Sequence, residues 1–168
     1  VDLHHIKTQP LEIGCNFIES RRKVNHVCAY DGPTIKALNE KKLTTGVKYW
    51  TRKPFQNEPW NLVESKLSNG EFKHHTGFCS GTLALSLAIQ LGCTEILLLG
   101  LDWKETNRSI FDDDYVWRKN HPEKHNLHKL NFLRKISEVA DLTVVHKRPK
   151  NFGNRIKWIN PADFLDSI

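Results

Sequence analysis

Apolar positions in the first third of the chain come in short bursts separated by polar turns. Leu11-Glu12-Ile13-Gly14-Cys15 stops at Asn16, and Val24-Asn25-His26-Val27-Cys28-Ala29-Tyr30 stops at Asp31-Gly32-Pro33. Both predict strands that run into polar turns. Pro33 suits the first turn of a helix, and Ile35, Leu38 and Leu43 supply a short helical face behind it. Val47-Lys48-Tyr49-Trp50-Thr51 predicts a third strand, after which a proline-containing stretch runs from Arg52 to Trp60.

The clearest segment lies further on. Ser80-Gly81 opens an apolar stretch that continues through Leu91 to Gly92, with Ser80 as a natural N-cap and Gly92 as a natural stop. The stretch is apolar nearly all round, which predicts a helix buried against a sheet. Glu95-Ile96-Leu97-Leu98-Leu99-Gly100-Leu101 follows at once and has the composition of a strand from the middle of a parallel sheet. Helix followed by buried strand is the signature of an α/β fold. A polar stretch from Asp102 to Lys124, with Asp112-Asp113-Asp114 inside it, is too long for a simple connection and is a candidate active-site loop. Leu127, Leu130, Phe132, Leu133, Ile136 and Val139 then mark an amphipathic helix, Leu142-Thr143-Val144-Val145-His146 a further strand, and Asn160 to Leu165 an N-capped terminal helix.

With 168 residues and 39% hydrophobic composition, the chain has material for one ordinary core, so residues 1–168 are read as a single domain. The 25 basic and 19 acidic residues leave a formal charge of +6, which suits an anionic ligand without choosing among nucleotide, nucleic acid and phosphorylated lipid. Apart from a denser group at Lys147, Arg148, Lys150 and Arg155, the cations are scattered, whereas nucleic-acid binders favour a basic stripe interleaved with aromatics. Cys15, Cys28, Cys79 and Cys93 form no C-x-x-C pair, which argues for reduced thiols and a cytoplasmic setting. No apolar run reaches the roughly 18 residues a membrane span needs. Nothing at the start of the sequence resembles a signal peptide. The sequence contains no methionine, and a trimmed N-terminus is expected. The oligomeric state is left open, a homo-oligomer included.

In open α/β sheets ligands bind beyond the carboxyl ends of the strands. That rule selects Asn16, Asp31, Asp102 and Trp103, and the helix start at Ser80-Gly81 adds backbone N–H groups and a positive dipole end. Each has a plainer explanation beside it. Ser80 would serve equally as a cap, and Asp31 in Asp-Gly-Pro as a turn former. Asp102 is harder to explain structurally, because a carboxylate directly after an apolar strand must reach solvent or a partner. The acidic triplet suits Mg²⁺ or a solvated loop. The nine histidines form no metal signature; His125 and His128 lie one helical turn apart without matching ligands. His121, just before the helix, is a candidate general base on a hydroxyl, a task that suits imidazole as a side-chain type.

Taken together, Ser80-Gly81, the apolar helix, Gly92 and Glu95-Ile96-Leu97-Leu98-Leu99-Gly100-Leu101-Asp102-Trp103 resemble the corresponding block of the bacterial sialyltransferases of glycosyltransferase family 42. Their 6-hydroxymethylpterin diphosphokinase-like relatives share related wording. Gly14-Cys15-Asn16 and Ala29-Tyr30-Asp31 look like the strand ends of those families, and His121 ahead of Lys129-Leu130-Asn131-Phe132-Leu133 looks like their catalytic histidine, so the likeness runs from about Leu11 to Val145.

The resemblance implies a three-layer Rossmann-like domain with a mainly parallel sheet, the glycosyltransferase-A-like variant of that family. It implies metal-independent transfer of a sugar from a nucleotide-sugar donor, CMP-linked or other, to an acceptor hydroxyl, with no further cofactor. Asn16 would touch the donor phosphate, Asp31 the ribose or sugar, and Ser80 with Gly81 the anionic groups. Asp102 and Trp103 would line the base pocket, and His121 would take the acceptor proton. Lys104 stands where those enzymes steady the leaving phosphate with a tyrosine, and Gly77 where they carry a basic residue. The Gly-rich strand and loop with which the family opens has no counterpart here. Two other functions fit the same residues: an ATP- and Mg²⁺-dependent diphosphokinase with Asp31, Asp102 and the acidic loop as metal ligands, and a non-catalytic nucleotide- or nucleic-acid-binding module.

Overall fold

The computed structural model describes residues 11–52, 60–63, 79–100, 123–146 and 155–167. The chain divides into two compact units, residues 1–93 and 94–168.

The first unit is built on a parallel sheet of β1 (Ile13–Cys15), β2 (His26–Cys28), β3 (Lys48–Thr51) and β4 (Asn61–Leu62), in that spatial order. The strands are shorter than the apolar bursts that predict them, and β4 has only two residues, too few for a periodic signal. Helix α1 (Gly32–Glu40) follows β2, with Pro33 in its first turn as expected. Leu43 lies beyond its end but still packs on the core.

Side-chain alternation along the strands assigns each helix a face. Val27, Ala29 and Tyr49 join Ile35 and Leu38 of α1 in one buried cluster. Cys28 and Trp50, one position along on the same strands, join Leu83 and Leu87 of α2 (Ser80–Gln90) in another. The two helices therefore cover opposite faces of this sheet. Beneath α1, the Tyr49 hydroxyl donates to Glu19 and accepts the Thr44 N–H at 2.8 Å, while Trp60 Nε1 donates to Asn39 at 2.9 Å. Burial and the Glu19 contact hold the Tyr49 phenol above its ordinary pKa, so it stays neutral and keeps its proton to donate.

Helix α2 ends as its sequence predicts. Gly92 takes φ +82°, its N–H reaches the Ile89 carbonyl at 2.9 Å, and the Cys93 N–H reaches Ala88 at 3.0 Å, closing the last turn in a Schellman motif. Its beginning differs from the expectation. Cys79, not Ser80, is the N-cap, and Ser80 is the first helical residue. Thr82 closes this turn by accepting the Cys79 N–H at 3.2 Å and donating to the Cys79 carbonyl at 2.9 Å, which leaves the Ser80 hydroxyl for other work.

Across the middle of the sheet, the His26 imidazole is buried and its Nδ1 accepts the Trp50 indole N–H at 2.9 Å, an arrangement that requires the neutral ring. Burial, and secondarily the charge of Lys48 on the neighbouring strand, lowers its pKa from the ordinary 6.5. Above pH 6.5 the ring is neutral in folded and unfolded chains alike, and its contribution to stability is intact. As the pH falls toward the lowered folded value, the unfolded chain takes up the proton first and stability is lost. Urea midpoints taken from pH 7.5 down to 5 are expected to fall less steeply in His26→Gln than in the parent. Parallel profiles would remove His26 as a source of the acid sensitivity.

The second unit carries β5 (Glu95–Leu98), β6 (Asp141–Val145) and β7 (Lys157–Ile159) in a parallel sheet, with α3 (Glu123–Ile136) and α4 (Pro161–Leu165). Phe132, Leu133 and Ile136 of α3 are buried, as are Leu142, Val144 and Val145 of β6 and Phe164 of α4. Asn160 caps α4 as predicted, its side chain accepting the Ala162 N–H at 3.3 Å. Val139, expected on the apolar face of α3, lies past its end and is exposed. The strand predicted for the middle of a sheet also departs from expectation: among the described residues β6 is central and β5 pairs with β6 alone, leaving Leu97 39% exposed. No helix among the described residues is long and apolar enough to cross a membrane.

Candidate functional site

Because the strands of the first unit are parallel, their carboxyl ends share one edge of the sheet, and the residues that follow them can act together. Strand β1 ends where Asn16 turns the backbone to φ +55°, a left-handed conformation that asparagine tolerates better than most residues. The Asn16 N–H still donates to the Cys28 carbonyl of β2 at 3.0 Å, so the backbone of the turn is anchored at the edge. Gly14 permits the close return of the chain behind this point: a Cβ there would stand 2.1 Å from Cγ2 of Ile18.

Ser80 ties three segments together. Its hydroxyl donates to Asn16 Oδ1 at 2.7 Å and accepts the Tyr30 N–H at 3.1 Å. The start of α2 is thereby fixed to the ends of both β1 and β2 through one side chain that is only 5% exposed. Asp31, next after Tyr30, is the N-cap of α1, its carbonyl accepting the Ile35 N–H at 3.0 Å. Gly81 lies in the first turn of α2, whose N–H groups have no partners within the helix and whose dipole favours negative charge.

At the end of β3 stands Arg52. Its guanidinium lies over the Tyr30 ring, 4.0 Å from the centroid. Tyr30 lies two positions beyond the end of β2, and Arg52 is the first residue beyond the end of β3. Neither residue stands among the sequence candidates, although the rule that selects Asn16 and Asp31 also reaches Arg52, the first residue after its strand.

The wall behind this edge is uncharged. Cys15 and Cys28 are directly opposed in the β1–β2 register. Burial, and then the neighbouring Cys79, pushes the Cys15 thiol up to about 12; burial and Cys15 hold the Cys28 thiol well above its ordinary value. Both are protonated at neutral pH and unreactive as nucleophiles. The four cysteines are free thiols.

Four of the sequence candidates thus lie along one sheet edge: Asn16, Asp31, Ser80 and Gly81. No protein family, curated protein or solved structure matches the chain. The other candidates, Asp102, Trp103, Lys104 and His121, lie outside the described residues, as do Gly77 and the acidic triplet from Asp112 to Asp114. His125 and His128 fall within α3.

Chemically, the edge offers amide donors, a helix N-terminus and a guanidinium, with neutral thiols behind them and the Asp31 carboxylate beside them. Amide donors, a helix N-terminus and a guanidinium are groups suited to an anion. Among the described residues, nothing in it is placed to act as a nucleophile, so any chemistry at this edge would draw its general base from elsewhere.

Proposed function

We propose that the chain is a glycosyltransferase of the family 42 type that moves a sugar from a nucleotide-sugar donor to an acceptor hydroxyl, without a metal. The observation that carries this reading is the Ser80 hydroxyl joining Asn16 to Tyr30, which sets the start of α2 at the ends of β1 and β2, where an α/β enzyme receives a phosphate. The reading includes a Rossmann-like three-layer fold. The free thiols suit a cytoplasmic enzyme.

In this reading the donor phosphate lies against the Asn16 amide and the first-turn N–H groups of α2 at Ser80 and Gly81. With its hydroxyl committed to Asn16 and Tyr30, Ser80 acts as a positioning residue. Asp31 faces the ribose or the sugar. By the family resemblance, Asp102 and Trp103 would line the base pocket, Lys104 would offset the charge of the departing phosphate, and His121 would take the proton from the acceptor hydroxyl; these four lie outside the described residues. Transfer breaks the bond from the anomeric carbon to the phosphate oxygen and forms one to the acceptor oxygen. Preorganised donors around the departing phosphate lower that barrier most.

Calorimetry and thermal shift with CMP, CDP, UDP, GDP and ATP, each with and without Mg²⁺, test the reading. One nucleoside mono- or diphosphate is expected to bind without metal, and at a hundredfold excess over its Kd to stabilise the chain by about 2.7 kcal/mol. Asn16→Gly, which keeps the left-handed backbone and removes the amide, should weaken it at least tenfold. Binding of ATP alone, and only with Mg²⁺, would instead identify a diphosphokinase. No binding by any of the five would end both enzymatic readings.

A further inference from the structure

We propose that Arg52, whose guanidinium lies over the Tyr30 ring at the end of β3, is the cationic residue that receives the ligand's phosphate at this sheet edge. The inference rests on the nucleotide-binding reading above and adds a residue and a charge to it.

The argument starts from what the guanidinium touches. An Arg side chain in solution samples many rotamers; one laid on an aromatic ring keeps its face occupied and its edge, with the N–H donors, directed outward. Among the described residues the Arg52 guanidinium has no carboxylate partner, and the Tyr30 ring is its recorded contact. The Tyr30 backbone is itself anchored, because its N–H donates to the Ser80 hydroxyl, which donates in turn to Asn16. One continuous series of contacts therefore runs from Arg52 through Tyr30 and Ser80 to Asn16, across the ends of β3, β2 and β1.

A phosphate suits the outward donors of such an arginine better than a point charge would, since two parallel N–H groups match two phosphate oxygens. The thiols of Cys15 and Cys28 are neutral, and the one carboxylate among the residues placed at this edge is Asp31, the N-cap of α1. Tyr30 is then a positioning residue, acting through its ring and not its hydroxyl.

The test uses inorganic pyrophosphate as a probe that carries no base or sugar, titrated into the chain by calorimetry and by phosphorus NMR, beside the best nucleotide of the panel. Pyrophosphate is expected to bind, with an affinity that falls as NaCl rises. Arg52→Gln should weaken it at least tenfold with an unchanged circular dichroism spectrum. Arg52→Lys should recover only part of the loss, because the ammonium supplies charge without the fork. Tyr30→Phe should bind like the parent and Tyr30→Leu should not, a pattern that separates positioning by the ring from a general effect on folding.

Equal affinity in Arg52→Gln and the parent, or no pyrophosphate binding by the parent, overturns the assignment. The two proposals fail separately. Nucleotide binding that is indifferent to Arg52→Gln leaves the proposed function standing and removes Arg52. Pyrophosphate binding lost in Arg52→Gln, with no preference for any nucleotide, keeps Arg52 as the anion receiver and removes the nucleotide-sugar enzyme.

Discussion

Leu83→Ala should cost about 3 kcal/mol of stability, within the range for truncating a buried leucine. Leu83 is fully buried where α2 meets the sheet, packed with Leu87, Cys28 and Val63. The loss has two parts: the transfer energy of the removed carbons, and a cavity that a helix pinned at both ends cannot collapse to fill. Here Ser80 pins one end and the Schellman closure at Gly92 the other. Leu91→Ala, in the last turn of the same helix and 41% exposed, is the control and should cost less than about 0.5 kcal/mol. Urea unfolding with an unchanged slope checks both. Equal losses at the two positions would mean that α2 is not seated as described.

The second large effect is expected from a single oxygen. Ser80→Ala deletes the hydroxyl that serves Asn16 and Tyr30, leaving a carbonyl oxygen and an amide N–H without their partner in a half-buried setting. An unsatisfied buried group costs about 1–3 kcal/mol, so Ser80→Ala should destabilise the chain by an amount in that range. If the proposed function holds, it should also weaken nucleotide binding by more than this loss of stability explains, because Asn16 and the start of α2 would no longer be held in one arrangement. Denaturation and calorimetry on the same samples separate the two. Full stability together with full affinity would show that the bond is dispensable.

The helix from Ser80 to Gln90 was legible because thirteen consecutive positions, ending at a glycine, leave few alternatives to a buried helix; the structure adds the +82° backbone of Gly92 that the sequence implied. The strand end at Cys15 is legible for a related reason, because the apolar burst stops at Asn16, a residue that turns a chain; the second burst runs on to Tyr30, two residues past the end of β2 at Cys28. What the pattern could not convey was partnership. Ser80 reads as a cap by its type and position, yet Thr82, two residues on, takes over that turn, and the hydroxyl reaches across 64 residues to Asn16.

Arg52 escaped notice because its meaning depends on Tyr30, a neighbour only after β2 and β3 pair in register. β4 holds two residues, too few for a period, and the apolar composition of β5 speaks of burial but not of the number of strands beside it, which among the described residues is one.

The opposed thiols of Cys15 and Cys28 give the molecule a built-in clock. A protonated thiol with no solvent access reacts with an alkylating reagent only when the surrounding structure opens, so the rate at which Cys28 is modified measures how often β1 and β2 part from α2. That opening lies directly behind Asn16 and Ser80. Under the proposed function, a ligand seated on the edge would hold the strands and helix together, and its arrival could be timed by the slowing of a reaction at a residue behind the site.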